Sequence, residues 1–285
     1  MRAPLLLAVF LAGVLSMRAR AAEDSCTGPS SDCLAEGRWN FSVALGAGVR
    51  TNPLVGGEDI PLVLVPHVSY YGKRFFLDDL DLGVALLEND ANTLSLVASP
   101  GYDRVYFYRT DLQNFLITGY LPGGAALYTA ATSPLTNSGT AVAEVTQRPR
   151  RITYLAGPEW TFKYAGLTGQ LDFLHEITGQ DHGNEVRAAL GMPLVKSKGG
   201  ALSANVGVTW NDAAIVNYFY GEPGIYRAGA AFDPFAKLAY TVPLSSKWRF
   251  DAFTEYERLG SAIASSPIVD RHSVTTVFVG AVYAF

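Results

Sequence analysis

KWRFDAFTEY, residues Lys247 to Tyr256, decides the fold. Its even positions are Trp248, Phe250, Ala252, Thr254 and Tyr256, and its odd positions are Lys247, Arg249, Asp251, Phe253 and Glu255. A strand sends successive side chains to opposite faces. One face of this segment is therefore apolar with aromatics near both ends, while the other is charged, as suits a wall with oil on one side and water on the other.

The rhythm recurs along most of the chain. Ile152, Tyr154, Ala156, Trp160, Phe162 and Tyr164 oppose Arg151, Thr153, Glu159, Thr161 and Lys163, and Leu167, Leu171 and Phe173 oppose Thr168, Gln170, Asp172 and Glu176. Further on, Val186, Ala188, Leu190 and Met192 oppose Glu185, Arg187 and Gly191, and Leu202, Val206, Val208 and Trp210 oppose Ser203, Asn205, Gly207 and Thr209. Near the start, Phe41, Val43, Leu45 and Val49 oppose Asn40, Ser42, Gly46 and Gly48. Segments of about ten residues with dyad alternation, separated by turn residues, are the signature of an antiparallel transmembrane β-barrel. The fold class is all-β.

Met1 to Ala21 reads as a cleaved secretory signal peptide: Arg2, an apolar run from Leu5 to Leu15, and small residues ending in Ala19-Arg20-Ala21. That run is shorter than the ~20 residues a spanning helix needs. Residues 22–38 form a polar periplasmic tail containing Cys26 and Cys33, the only cysteines. After export the pair could form a disulfide or remain two thiols. With a net charge of -4 and no basic run, the chain has no feature that draws it to nucleic acid.

The barrel proper is expected over residues 39–285, and its clear strands number about eleven. Arg38 to Val49 is the first, Pro61 to Tyr71 the second and Asn92 to Tyr108 the fourth. Between these the apolar face slips from odd Phe75 and Leu77 to even Leu80, Leu82, Val84 and Leu86. Such a slip demands a bulge or a break near Asp78 and Asp79. Bacterial single-chain barrels take even strand numbers, so twelve strands are expected, the last supplied within Ala125 to Ala131 or Thr140 to Gln147. Ten is the alternative, if the irregular early segments merge. Residues 110–147 are a long insertion rich in Gly, Pro and Ser, and so mostly loop. Short turns at Tyr164 to Leu167, Lys196 to Gly200 and Pro243 to Lys247 alternate with longer connections at Thr178 to Asn184, Asn211 to Tyr226 and Gly260 to Asp270. Short turns belong to the periplasmic side, which puts both chain ends there.

The closing residues Phe278-Val279-Gly280-Ala281-Val282-Tyr283-Ala284-Phe285 resemble the carboxy-terminal signal by which outer-membrane barrels are recognised for assembly, with Gly280, Tyr283 and Phe285 at the expected spacing. Phe278 stands where that pattern usually has a polar residue. Three stretches carry a wider likeness. They are Gly56-Gly57 with Pro61 to Pro66 and Tyr70 to Leu77, Asn217-Tyr218-Phe219-Tyr220-Gly221, and Leu259-Gly260 with Ser266-Pro267-Ile268-Val269. Through them the chain resembles the MipA/OmpV family of outer-membrane proteins, from about Trp39 to Phe285 apart from much of the insertion. The resemblance implies a cell outer membrane location and a non-enzymatic role in murein (peptidoglycan) turnover, as a scaffold joining a murein transglycosylase to a murein synthase. A narrow channel for small solutes is the alternative. Outer-membrane lipid and the barrel assembly machinery are the other expected partners.

Catalytic, cofactor and metal residues are not expected. His67, His175, His182 and His272 lack metal-ligand spacing. His175 and Glu176 are adjacent in a strand and point apart. The charges expected to face the lumen are Arg151, Glu159, Lys163, Asp172, Glu185, Arg187, Lys247, Arg249, Asp251 and Glu255. They read as partners across a packed interior in preference to the lining of a pore. Trp160, Trp210, Trp248 and Tyr283 read as membrane-interface belts.

Overall fold

The computed structural model describes residues 36–108, 149–197 and 199–285. Residues 1–35, where a signal peptide is expected and where Cys26 and Cys33 lie, and the insertion at 110–147 lie outside the described residues. Among the described residues, twelve antiparallel strands close into one ring. They are β1 (Arg38–Arg50), β2 (Ile60–Tyr71), β3 (Phe75–Asp78), β4 (Asp81–Glu88), β5 (Asn92–Pro100), β6 (Tyr154–Tyr164), β7 (Leu167–Glu176), β8 (Asn184–Ser197), β9 (Gly200–Asn211), β10 (Ala231–Pro243), β11 (Trp248–Arg258) and β12 (Ser273–Ala284). A 3-10 turn, η1 (Tyr102–Tyr106), and two helices, α1 (Ala213–Tyr220) and α2 (Ser261–Ala264), sit in the longer connections.

The twelfth strand comes from the slip in face, not from the insertion. The third expected strand breaks at Asp79, whose φ of 53° reverses the chain, and becomes the hairpin β3–β4. A strand needs about 9–11 residues to span a membrane, so the four residues of β3 reach only part of the way up the wall. Strand β2 accordingly meets β3 at Ser69, Tyr70 and Tyr71, although it pairs with β1 from Ile60 to Tyr71. Above Val68 the other edge of β2 has no strand beside it among the described residues. Pro66 lies there in phase with Val68 and Tyr70 and contributes no N–H, as suits a bare edge. The expected fourth strand, Asn92 to Tyr108, also ends early. Pro100 closes β5 and the chain turns inward as η1.

Alternation assigns the two faces. Leu45, Leu96, Phe173, Leu190, Val206, Leu238 and Val279 are exposed on the outside, an apolar surface that lipid would cover. Ser42, Ser95, Asp172, Arg187, Asn205, Lys237, Asp251 and Thr276 are buried within. Aromatic clusters mark both rims of the apolar band. Trp39–Tyr70 (5.1 Å), Trp160–Phe162 (4.9 Å) and Trp248–Tyr283 (4.9 Å) lie toward the short-turn end, and Trp210–Phe232 (6.3 Å) toward the other.

The ring closes where β1 meets β12, with Gly46 opposite Gly280 and Gly48 opposite Phe278. Phe278 points inward, is 1% exposed, and its ring lies over all three glycines. This explains the departure in the terminal motif: the position faces glycine-lined space inside the ring, which an aromatic fills.

Candidate functional site: a plugged lumen and a cationic rim

Polar and apolar parts of the interior are stacked along the barrel axis. Toward the long-loop end, α1, η1, α2 and the loop at 51–59 fold into the ring. Leu54, Val105, Ile215, Val216, Phe219, Tyr220, Ile263 and Ile268 form an apolar core there. Asp212 caps α1 by accepting from the N–H groups of Ala214 (2.9 Å) and Ile215 (3.2 Å). At the other end of α1, Arg150 is buried and donates to the Phe219 carbonyl from Nε (3.1 Å) and Nη2 (2.9 Å). It also pairs with Glu222 at 3.2 Å. A cation at a helix C-terminus satisfies orphan carbonyls and complements the helix dipole. The Tyr220 hydroxyl donates to Asp103 of η1 at 2.7 Å, and the Asn52 side chain donates to the Tyr106 carbonyl at 2.9 Å. These bonds tie the connections into one plug.

Beneath the plug lies a cavity of about 130 Å³ lined by Arg50, Asp103, Arg187, Lys237, Glu255 and Glu257, among others. At its lining Arg187 bonds Glu185 and Lys237 lies 3.2 Å from Glu255; outside the cavity Arg249 lies 2.8 Å from Asp251. Arg187 also donates to Ser99 and covers the Tyr102 ring at 5.2 Å. The Gln170 amide bridges Glu159 (3.1 Å) and Asp172 (3.1 Å). Desolvation in the plug pushes the Asp103 carboxyl up to about 7, against which the Tyr220 hydrogen bond acts only in part.

Of the charges singled out in the sequence, Glu159, Asp172, Glu185, Arg187, Arg249, Asp251 and Glu255 stand on inward-facing positions. Lys163 and Lys247 are exposed at the short-turn rim, and Arg151 is exposed ahead of β6. Arg50, Asp233, Lys237 and Glu257 were missed. The alternation of Asp233 and Lys237 against Phe232, Leu238 and Tyr240 is visible in the sequence and would have found two of them. His175 faces outward and bonds Asn184 at 3.0 Å, while Glu176 accepts from the loop N–H groups of Gln180 (2.9 Å) and His182 (3.1 Å). The two therefore do not cooperate. Gly280 faces inward. Tyr283 packs against Trp248, and Phe285 is exposed, its N–H donating to the Phe41 carbonyl at 3.0 Å.

Among the described residues the short-turn rim is cationic. Arg38, Lys73, Arg74, Lys163, Lys196 and Lys247 are exposed there, against Glu36, Glu88 and Asp90.

A closed, lipid-facing ring with charged groups inside defines the class: this is an outer-membrane β-barrel. Residues 43–285 match the family described as MltA-interacting protein MipA, and the chain belongs to that family. MltA-interacting protein of Escherichia coli K12 is 23% identical over 260 residues, covering 88% of this chain and 92% of the relative. A putative outer membrane protein of the same organism, YiaT, is 22% identical, covering 86% and 91%. Among solved structures, an outer membrane channel from Pseudomonas putida F1 is similar over 92% of this chain and 100% of its own, with 10% identity and a TM-score of 0.43.

Proposed function

We propose that this barrel is a non-enzymatic scaffold that presents its short-turn rim to an acidic surface of a murein transglycosylase, with a murein synthase as the further partner. The observation that carries this reading is the rim itself. Among the described residues, six exposed cations face three exposed anions there, on the side where short turns place the periplasm. Exposed charge of one sign steers partners of the other and contributes strongly to selectivity. The packed plug supports the same reading, because it fills the route that a channel would use. The name of the Escherichia coli relative adds that a family member interacts with MltA.

The test is crosslinking in intact envelopes followed by purification of the barrel, beside conductance in planar bilayers. Expected are recovery of a lytic transglycosylase with the wild type, its loss with Lys73→Glu, Arg74→Glu and Lys247→Glu combined, and silent bilayers. Steady single-channel steps together with no murein enzyme in the crosslinked fraction would overturn the scaffold in favour of a narrow channel.

A further inference from the structure

A second cluster lies where the β3–β4 hairpin stops against β2. His67 faces inward from β2, and Asp78 and Asp79 stand at the hairpin tip. Their ligand atoms all lie within 4.8 Å of one another. His67 Nδ1 is 3.5 Å from Asp78 Oδ1 and 3.1 Å from Asp79 Oδ1.

Each carboxylate is held by one oxygen. The Tyr71 hydroxyl donates to Asp78 Oδ2 at 2.7 Å. The Val68 N–H donates to Asp79 Oδ1 at 2.8 Å. The other oxygens, Asp78 Oδ1 and Asp79 Oδ2, are buried with no hydrogen-bond partner. The Asp79 side chain is 1% exposed and that of His67 is 7% exposed. A buried carboxylate with an unmatched lone pair is costly unless a cation meets it. Asp79 also occupies the left-handed region at φ 53°, which glycine adopts without steric cost.

We propose that His67, Asp78 and Asp79 form a site for a divalent first-row transition-metal ion such as zinc, which pins the hairpin tip to β2. One imidazole nitrogen and two carboxylate oxygens are a donor set such ions take. Ligands at ~2.1 Å around a tetrahedral ion lie ~3.4 Å apart, and His67 Nδ1 stands 3.5 Å from the unmatched Asp78 Oδ1. The charge also balances, since two carboxylates match the ion and a neutral imidazole completes the set. Tyr71 and Val68 are the outer partners that orient the carboxylates. Sequence spacing hides the site because the histidine and the aspartates sit on different strands.

The experiment uses the mature barrel purified in detergent and stripped with chelator, titrated separately with zinc and with cobalt. One ion per barrel is expected, with a cobalt absorption spectrum showing a nitrogen ligand and lost on adding zinc. His67→Gln and Asp79→Asn should each weaken zinc binding about tenfold or more, while Asp90→Asn on an exposed turn leaves it unchanged. Should Asp79→Asn fail to fold, Asp78→Asn and the wild-type cobalt spectrum decide. Absence of stoichiometric binding by the wild type overturns the site and leaves a simple His–Asp hydrogen bond. Equal affinity in wild type and His67→Gln overturns it too, because the ion then sits elsewhere. Neither readout involves a murein enzyme, so the scaffold reading stands or falls separately.

Discussion

A buried carboxyl makes the hold of the plug depend on pH. Asp103 lies in η1, outside the spanning strands, and its folded value of about 7 exceeds the 3.8 of an ordinary aspartate. A raised carboxyl favours the fold most below the unfolded value and loses that contribution as pH climbs from about 4 to about 7. Asp233, Glu185 and Asp181 raise it further by charge, and Tyr220 opposes them by donating a hydrogen bond. The plug is therefore expected to loosen between acidic and neutral pH. Hydrogen exchange of residues 102–106 should accelerate over that interval, and Asp103→Asn should flatten the dependence.

Gly46 is the second residue on which much rests. A methyl group there would stand 2.2 Å from the Val279 carbonyl oxygen and 2.7 Å from the tip of Phe278. Because the first of these neighbours is backbone, the junction between β1 and β12 must separate to admit it. Overpacking of this kind costs roughly 1–3 kcal/mol. Gly46→Ala should lower the temperature at which the folded band disappears in heat-modifiability gels, whereas Gly229→Ala, with open space around it, should not.

Among the elements, α1 depends most on a distant residue. Arg150 reaches it across the molecule and binds the Phe219 carbonyl and Glu222 together. Arg150→Ala leaves both without that cation, a loss of roughly 3 kcal/mol for a buried ionic contact. Faster exchange of the α1 amides with an intact far-ultraviolet strand spectrum is the expected result, since the ring does not need the helix. The elements differ in how far the sequence announces them. Strands β1 and β6 to β12 are legible because each separates lipid from water, residue by residue. The β3–β4 break was visible as a slip at Asp78 and Asp79, yet its two-residue turn, Asp79-Leu80, has neither glycine nor asparagine to mark a reversal. The plug was read as loop over Asn211 to Tyr226 and Gly260 to Asp270. AAIVNYFY is eight residues long, too short for a clear helical period, and its partners Arg150, Asp103 and Ser266 come from far along the chain. The cluster of His67, Asp78 and Asp79 was hidden because its members come from β2 and from the tip of the neighbouring hairpin, outside any contiguous motif.

For the whole molecule, the ring divides labour between its two ends. Among the described residues, the end with long connections holds an apolar core of side chains, and the end with short turns carries exposed cations. A closed sheet normally distributes its strength evenly, because every strand has two neighbours. Here it does not. Strand β3 joins β2 along Ser69 to Tyr71, whereas β1 and β12 are registered from Ser42 to Arg50. If the cylinder is forced apart by heat or by lateral tension in the bilayer, it should unzip first beside Tyr70, two strands away from the seam where β1 and β12 meet.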